Sequence, residues 1–137
     1  METLIAYFDG ACEPVNPGGA LGWGVVIFNG SERLFEVADK RPAAPTNTNN
    51  VAEYLGFLTI LDWLETSAYF DNRVIIRGDS KLVINQMFGN WRIKAGAYAD
   101  FARQAKRRLG RFSNVSGEWI PREQNTVCDD LSKSMIG

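Results

Sequence analysis

The chain has 137 residues, of which 45% are hydrophobic and 23% are charged, a composition typical of a soluble globular protein with one core. Its net charge is −1 and it contains no histidine, which excludes histidine-dependent catalytic triads, histidine-ligated zinc and a histidine general base. No apolar run approaches the roughly 20 residues that a membrane helix needs, so no membrane partner is expected.

The cysteines and the N-terminal residues indicate the cellular compartment in which the protein is expected to act. Cys12 and Cys128 lie far apart in the sequence, and reduced thiols are the expected state in a chain without an export signal. The N-terminal stretch METLIAYFDG has no basic region ahead of its apolar residues, so we predict no signal peptide. We therefore expect a cytoplasmic, monomeric protein with a single domain over residues 1–137.

Three strands are predicted in the first forty residues. They are TLIAYFD (residues 3–9), LGWGVVIF (21–28) and ERLFEVA (32–38), and the short turn NGSE joins the second to the third. Short connections favour antiparallel neighbours, so these strands should pair in that way. The loop RPAAPTNTNN, rich in proline and asparagine, follows them.

A long helix is predicted over residues 50–65, where Thr48 or Asn49 can accept hydrogen bonds from the free N–H groups of the first turn. Its apolar residues form two stripes that cover most of its circumference, as in a deeply buried helix. The first stripe consists of Val51, Tyr54, Leu55, Leu58 and Leu61, and the second of Phe57, Ile60 and Leu64. Glu53 falls on the second stripe, and a carboxylate that faces the core needs a partner or a metal ion.

Strands alternate with helices in the second half of the chain. We predict a strand over 72–79, helices over 80–88 and 97–109, a strand over 115–120, the loop PREQN and a final helix over 126–136. Strands separated by helices usually join a sheet in parallel. The predicted fold is therefore α/β: a mixed five-stranded sheet, with three antiparallel strands and then parallel strands, flanked by helices.

Carboxylates follow two strands that should be neighbours. Asp9 ends the first predicted strand and Asp79 ends the fourth, and Glu53 can reach the same point from the long helix. An acid on the C-terminal helix could complete the cluster. Because no histidine is present, a hard divalent cation is the best means of relieving the repulsion, and Mg²⁺ suits a few carboxylates combined with substrate phosphates. Two such ions can promote phosphodiester cleavage by activating water and stabilising the leaving oxygen.

Four segments, in order along the chain, resemble type 1 ribonuclease H. They are YFDGACEPVNPGGALGWG, TNNVAEYLG, RGDSKLVINQMFGNW and WIPREQNTVCDDLS, and they span nearly the whole chain. The resemblance implies a ribonuclease H-like fold. It also implies cleavage of the RNA strand of RNA–DNA hybrids, with two Mg²⁺ or Mn²⁺ ions per active site and with 5′-phosphate and 3′-hydroxyl products.

The resemblance also implies roles for individual residues. The family's metal-binding and catalytic acids fall on Asp9, Glu53, Asp79 and Asp129. The helical wheel does not separate Asp129 from its neighbour Asp130, but the match to the family spacing in NTVCDDL favours Asp129. Amide side chains can read sugar edges and the 2′-hydroxyl groups that distinguish RNA from DNA. The expected substrate contacts are Asn16, Cys12, Thr48, Asn49, Asn50 and Lys81.

The sequence departs from familiar members of that family at three places. One extra residue lies between Asp9 and Asn16. Lys81 stands where many relatives place glutamine, and lysine suits a phosphate better than a base edge. Many relatives carry a histidine on a mobile loop, whereas this chain has PREQN, so Arg122 and Glu123 are the candidate replacements. Arginine would act there as a fixed cation, because it does not release a proton at neutral pH.

A basic segment covers residues 92–111, where seven basic residues stand against one acid and give a local charge of +6. The rest of the chain then carries −7. Two interpretations stay open at this point: a solvated helix face, which is the usual reason for a charge run, or a patch that faces nucleic-acid phosphates.

Three other functions deserve comparison with hybrid cleavage. A different two-metal nuclease of the same fold, such as an exonuclease or a junction resolvase, would cleave DNA, but the TNN and NPGG segments argue against it. A hybrid-binding module without activity is expected to lose at least one acid, and all are present. A phosphatase that uses Asp9 as nucleophile would need a second aspartate two residues later, where Ala11 stands.

Overall fold

A computed structural model describes residues 2–136 of the chain. These residues form a five-stranded sheet with the strand order β3-β2-β1-β4-β5, in which β1, β2 and β3 are antiparallel and β4 and β5 run parallel to β1. The predicted mixed sheet with flanking helices is confirmed. The strands are β1 (Thr3–Glu13), β2 (Ala20–Asn29), β3 (Glu32–Arg41), β4 (Arg73–Gly78) and β5 (Val115–Trp119). The helices are α1 (Asn49–Thr66), α2 (Lys81–Phe88), α3 (Ala99–Leu109) and α4 (Thr126–Ser134).

Helix α1 forms the centre of the core, as its two apolar stripes predict. Thr48 begins the helix by accepting a hydrogen bond from the backbone N–H of Val51, at 3.2 Å. Every residue of both stripes is buried, and the ring of Phe57 meets the ring of Phe8 on β1 edge to face, with centroids 5.7 Å apart. Burial of aromatic surface of this size is a main source of stability in a domain. The helix thus has a fixed position against β1, and Glu53 is fixed with it.

Helix α4 lies on the opposite face of the sheet from α1. Successive residues of a strand face opposite sides, and Val25 on β2 is buried in the α1 core while its neighbour Gly24 faces α4. A Cβ atom at Gly24 would lie 2.5 Å from the Cβ atom of Leu131, so glycine is what lets α4 approach the strand this closely. Within α4, the buried residues are Cys128 and Ser132.

A buried polar network holds the segment between α2 and α3. Gln86, which is 2% exposed, accepts a hydrogen bond from the Tyr54 hydroxyl at 2.5 Å and donates one to the Arg92 carbonyl at 2.8 Å. The Tyr98 hydroxyl accepts from Gln86 and from the backbone N–H of Lys94, both at 3.2 Å. These bonds fix the chain after α2, where little regular structure would otherwise constrain it.

Most predicted boundaries agree with the structure, and the differences have local causes. Strand β1 continues four residues beyond Asp9, because β2 pairs with it as far as Glu13. The predicted loop PREQN contains a single 3₁₀ turn, Arg122–Gln124. Both cysteines are buried free thiols, in agreement with the expected reduced state. Among residues 2–136, no helix has the length and hydropathy needed to cross a membrane.

Candidate active site

Three carboxylates meet where β1 and β4 emerge from the core. Phe8 on β1 pairs with Gly78 on β4, so the residues that follow them, Asp9 and Asp79, lie side by side at the point where β4 ends. Together with Glu53 of α1, they place one carboxylate oxygen each within 4.8 Å of the others. The sequence predicted this convergence from the parallel pairing of the two strands.

Gly10 is the reason that Glu53 comes so close to the strand. A Cβ atom at this position would lie 2.4 Å from the backbone nitrogen of Glu53, so only glycine allows α1 to approach β1 as it does. The backbone N–H of Gly10 donates a short hydrogen bond to Oε1 of Glu53. This bond orients the Glu53 carboxylate toward Asp9.

Burial makes the acid cluster electrostatically unfavourable in its ionised form. Asp9 is 6% exposed, and its burial, together with repulsion from Asp79 and Asp129, raises its pKa to about 7. Burial and the charge of Asp9 also raise the pKa of Glu53 well above its usual range. The pKa of Asp79 is raised by burial in the same way. Oxygen donors that are costly to ionise without a counter-charge fit a hard divalent cation, which favours their ionised form.

Asp129 lies on α4 beside this cluster, in a different electrostatic environment. Its Oδ1 atom is 3.2 Å from Nη2 of Arg122 and 3.5 Å from Nζ of Lys133. Burial opposes ionisation of Asp129, but the charge of Arg122, a hydrogen bond with Asp9 and the charge of Lys133 together outweigh it and lower the pKa of the carboxyl below its usual range. Asp129 faces the cleft described below, whereas Asp130 is exposed outside its lining.

The four acids line an open cleft of about 580 Å³. Of the other residues predicted to act at the site, its lining contains Cys12, Asn49, Asn50, Lys81 and Arg122. The cleft thus combines buried acids with more exposed amide and basic groups.

Some predicted site residues have local structural roles. Asn16 and Asn49 pair reciprocally: Nδ2 of Asn16 donates to Oδ1 of Asn49 at 2.9 Å, and the backbone N–H of Asn49 donates to Oδ1 of Asn16 at 3.2 Å. Cys12 is 8% exposed, and its thiol donates to the carbonyl of Val15 at 3.2 Å. Three predicted site residues lie outside the lining of the cleft: Asn16, Thr48, which caps α1, and the exposed Glu123.

Trp119 and Lys133 are among the lining residues that were not singled out from the sequence. Trp119 ends β5 with 42% of its surface exposed, and Lys133 follows Asp129 by one helical turn. The spacing of four residues on a predicted helix was the available signal for Lys133. For Trp119, the signal is its position at a strand end, which becomes informative only once β5 is known to pair with β4.

The basic segment is largely occupied with structural contacts. Arg108 binds Glu65 at 3.0 Å and also Asp62, and Arg111 lies 3.6 Å from Glu65. The remaining contacts are those of Arg103 with Asp100, at 2.6 Å, and of the Lys106 ammonium with the backbone carbonyls of Gln86 and Met87. Within the described residues, the three basic groups of this segment without such a contact are Arg92, Lys94 and Arg107.

Arg92 and Lys94 line a second cleft of about 340 Å³, together with the exposed indole of Trp91. Leu82 belongs to the lining of both clefts, so the second adjoins the first. A paired and solvated helix face therefore describes much of the basic segment, whereas its first part leaves two basic groups, Arg92 and Lys94, beside a cleft.

Comparison with known proteins agrees with this architecture. Residues 7–135 match the model of the family described as "Reverse transcriptase-like". The chain is 35% identical over 121 residues to the bifunctional protein Rv2228c of Mycobacterium tuberculosis, which covers 88% of this chain but 32% of that protein. It is 32% identical over 132 residues to ribonuclease HI of Halobacterium salinarum, covering 96% of this chain and 63% of that protein. The chain thus spans about a third of the length of the first of these relatives.

Solved structures give the same result. The N-terminal RNase H domain of Rv2228c superposes with a TM-score of 0.86 at 30% identity, over 99% of this chain and 94% of that one. LC11-RNase H1, solved in complex with an RNA/DNA hybrid, has a TM-score of 0.79 at 31% identity, over 97% and 96% of the two chains. The chain therefore belongs to the reverse transcriptase-like family and, within it, to the type 1 ribonucleases H.

Proposed function

We propose that this chain is a ribonuclease H that hydrolyses the RNA strand of RNA–DNA hybrids and leaves 5′-phosphate and 3′-hydroxyl ends. The observation that carries the proposal is the convergence of Asp9, Glu53 and Asp79 in a cleft of a type 1 ribonuclease H fold. Asp129 is proposed as the fourth acid. The structural neighbour LC11-RNase H1 binds an RNA/DNA hybrid, which supports the same substrate class here.

The four acids are proposed to hold two divalent cations, either Mg²⁺ or Mn²⁺. When bound, such ions activate water and stabilise the leaving 3′-oxygen of the scissile phosphodiester. Asp9 and Glu53 are the buried donors, and their high pKa values mean that protons must leave as cations bind. Arg122, beside Asp129, places a permanent positive charge at the edge of the cleft, where it can bind the scissile phosphate.

The groups at the sides of the cleft are proposed to select the substrate. Asn49 and Asn50 line it, and Asn16 holds Asn49 through two hydrogen bonds, so an amide group is fixed within reach of a sugar edge. Such amides can donate to and accept from a 2′-hydroxyl, which DNA lacks. Arg92 and Lys94, in the adjoining cleft, lie where a second strand can pass. We further expect the protein to act as a monomer in the cytoplasm, with residues 1–137 as its ribonuclease H domain.

Cleavage of end-labelled duplexes tests the proposal. RNA–DNA, DNA–DNA and RNA–RNA duplexes of one sequence are incubated with Mg²⁺, with Mn²⁺ and with a chelator. Cleavage of the RNA–DNA duplex alone, and only with a metal ion, is expected, and the product ends can be identified by their response to phosphatase and kinase. Cleavage of the DNA duplex would instead favour a DNA nuclease of the same fold. Asp9→Asn should be inactive, and Asp130→Asn, outside the cleft, is the matched control.

A further inference from the structure

Trp119 contacts both the main chain of one cleft acid and the side chain of a cleft lysine. Its register partner on β4 is Gly78, the residue before Asp79, so the indole lies beside the end of that strand. The last backbone hydrogen bond between these segments runs from Ile120 N–H to the Gly78 carbonyl, at 3.0 Å. The Asp79 carbonyl lies beyond it, and Nε1 of Trp119 donates to that carbonyl at 3.1 Å.

The same indole carries a cation on its face. Nζ of Lys81 lies 4.9 Å from the centroid of the Trp119 ring, within the distance at which an ammonium group is attracted by an aromatic ring. Lys81 is exposed at the start of α2, where an unsupported lysine would sample many rotamers. The ring therefore restricts where the ammonium group can lie.

Lys81 is the basic residue of the cleft lining that contacts no acid among the described residues. Three basic residues line the cleft, and two of them, Arg122 and Lys133, contact Asp129. Within the described part of the chain Lys81 forms no ion pair, and its contact is with an uncharged ring. An ammonium group is a compact point charge with three donors, which suits a phosphate oxygen and lacks the planar pair of groups that reads a base edge.

We propose that Trp119 is a positioning residue: its N–H group fixes the main chain at Asp79, and its ring holds the ammonium group of Lys81 so that Lys81 binds a backbone phosphate of the nucleic acid in the cleft. The inference rests on the proposed function, since it takes the ligand to be a nucleic acid. The two contacts of the Trp119 side chain have two separable effects. The ring acts on substrate binding, and the N–H group acts on the geometry of the acids.

Substitution of Lys81 tests the phosphate contact. Hybrid binding is measured in Ca²⁺ without Mg²⁺ across a series of salt concentrations, and KM and kcat are measured in Mg²⁺. We expect Lys81→Met to raise KM several-fold, to leave kcat within about twofold, and to reduce the slope of log K against log salt by about 1. Lys81→Gln should lose the same slope and Lys81→Arg should keep it. Arg73→Met, which removes one exposed charge at the opposite end of β4, is the matched control.

Substitution of Trp119 separates its two contacts. Trp119→Phe keeps a ring under Lys81 and removes the N–H group, so kcat should fall while KM stays close to that of the unmodified protein. Trp119→Leu removes both contacts and should change kcat and KM together. Addition of Lys81→Met to Trp119→Leu should then raise KM by less than it does alone, because the two residues share one interaction.

Distinct results would overturn this inference and the proposed function. If the unmodified protein neither binds nor cleaves the hybrid, the proposed function fails. If it cleaves the hybrid but Lys81→Met keeps the full salt slope, or Lys81→Gln restores KM, Lys81 does not bind a phosphate and the inference is wrong. Fully additive effects of Trp119→Leu and Lys81→Met would also overturn it, because the ring would then not position the lysine. Lys81 is exposed, so its variants should fold even if a Trp119 variant does not.

Discussion

Replacement of Asp9 by asparagine should stabilise the metal-free protein at neutral and alkaline pH while it abolishes hybrid cleavage. Asp9 is 6% exposed and lies among other acids, so its ionised form is unfavourable in the folded chain. Asparagine keeps the shape of the side chain and removes its charge. A residue needed for activity would thus be a source of instability until a cation binds.

The size of the effect follows from the pKa of Asp9, which rises from an ordinary value of 3.8 to about 7 on folding. A difference of about 3 pKa units lowers the free energy of unfolding by about 4 kcal/mol at pH values above both pKa values. Because the folded form has the higher pKa, the contribution of Asp9 to the free energy of unfolding is fully present below about pH 4, where Asp9 is protonated in both states. That stability is lost as the pH rises to about 7, where Asp9 must ionise in the folded chain. Asp79 and Asp129 share the repulsion, so the single substitution should recover about 1–3 kcal/mol at pH 8.

Urea unfolding at pH 5 and pH 8, in EDTA and in Mg²⁺, measures this effect. In EDTA, Asp9→Asn should be more stable than the unmodified protein by a larger margin at pH 8 than at pH 5. In Mg²⁺ at 100 times its Kd, the unmodified protein should gain about 2.7 kcal/mol, and Asp9→Asn should gain much less. Asp130→Asn is the control, because Asp130 is an exposed acid of the same helix as Asp129. Equal margins at the two pH values would refute the argument that buried repulsion at Asp9 opposes folding.

Three further substitutions test the other parts of the site. Asp129→Asn should lower kcat far more than Asp130→Asn, because of these two acids only Asp129 lines the cleft. Equal losses of kcat would mean that Asp129 is wrongly assigned as the fourth acid. Arg122→Ala should lower kcat at least about tenfold with little change in KM, and Glu123→Ala should change neither constant. An effect of Arg122→Ala on KM alone would make Arg122 a simple phosphate contact. Gly10→Ala would bring a Cβ atom to 2.4 Å from the backbone of α1 and displace Glu53. The free energy of unfolding should therefore fall by about 1–3 kcal/mol, and the stabilisation by Mg²⁺ should shrink. An unchanged stabilisation by Mg²⁺ would show that α1 can move without loss of the site.

The parts of the site that the sequence predicts are those that depend on local periodicity and on the pairing of strands. Glu53 can be placed on a core-facing stripe because helical residues repeat every 3.6 positions. Asp9 and Asp79 can be placed together because parallel neighbours end at the same edge of a sheet. Both inferences need only the order of elements, and the structure agrees with them.

The parts that could not be predicted depend on distances between residues far apart in the chain. Arg108 pairs with Glu65, 43 residues away, and no local pattern indicates that this cation is neutralised. The contacts of Trp119 with Asp79 and Lys81 depend on the register of β5 against β4. A charge count or a strand pattern gives the residues but not their partners, and the partners decide whether a charge is free for substrate.

The position of Asp129 on α4 has a consequence for how the site behaves in time. Asp9, Glu53 and Asp79 come from elements joined through the main core, whereas α4 is a nine-residue helix whose buried residues are Cys128 and Ser132. Segments with little burial open at a lower free energy than the whole protein unfolds, so α4 is the element of the site expected to exchange its amide hydrogens first. Each opening would carry Asp129 away and leave three acids in place. A ligand that needs all four acids would then bind with an apparent affinity that is reduced in proportion to the fraction of molecules in which the four acids are assembled.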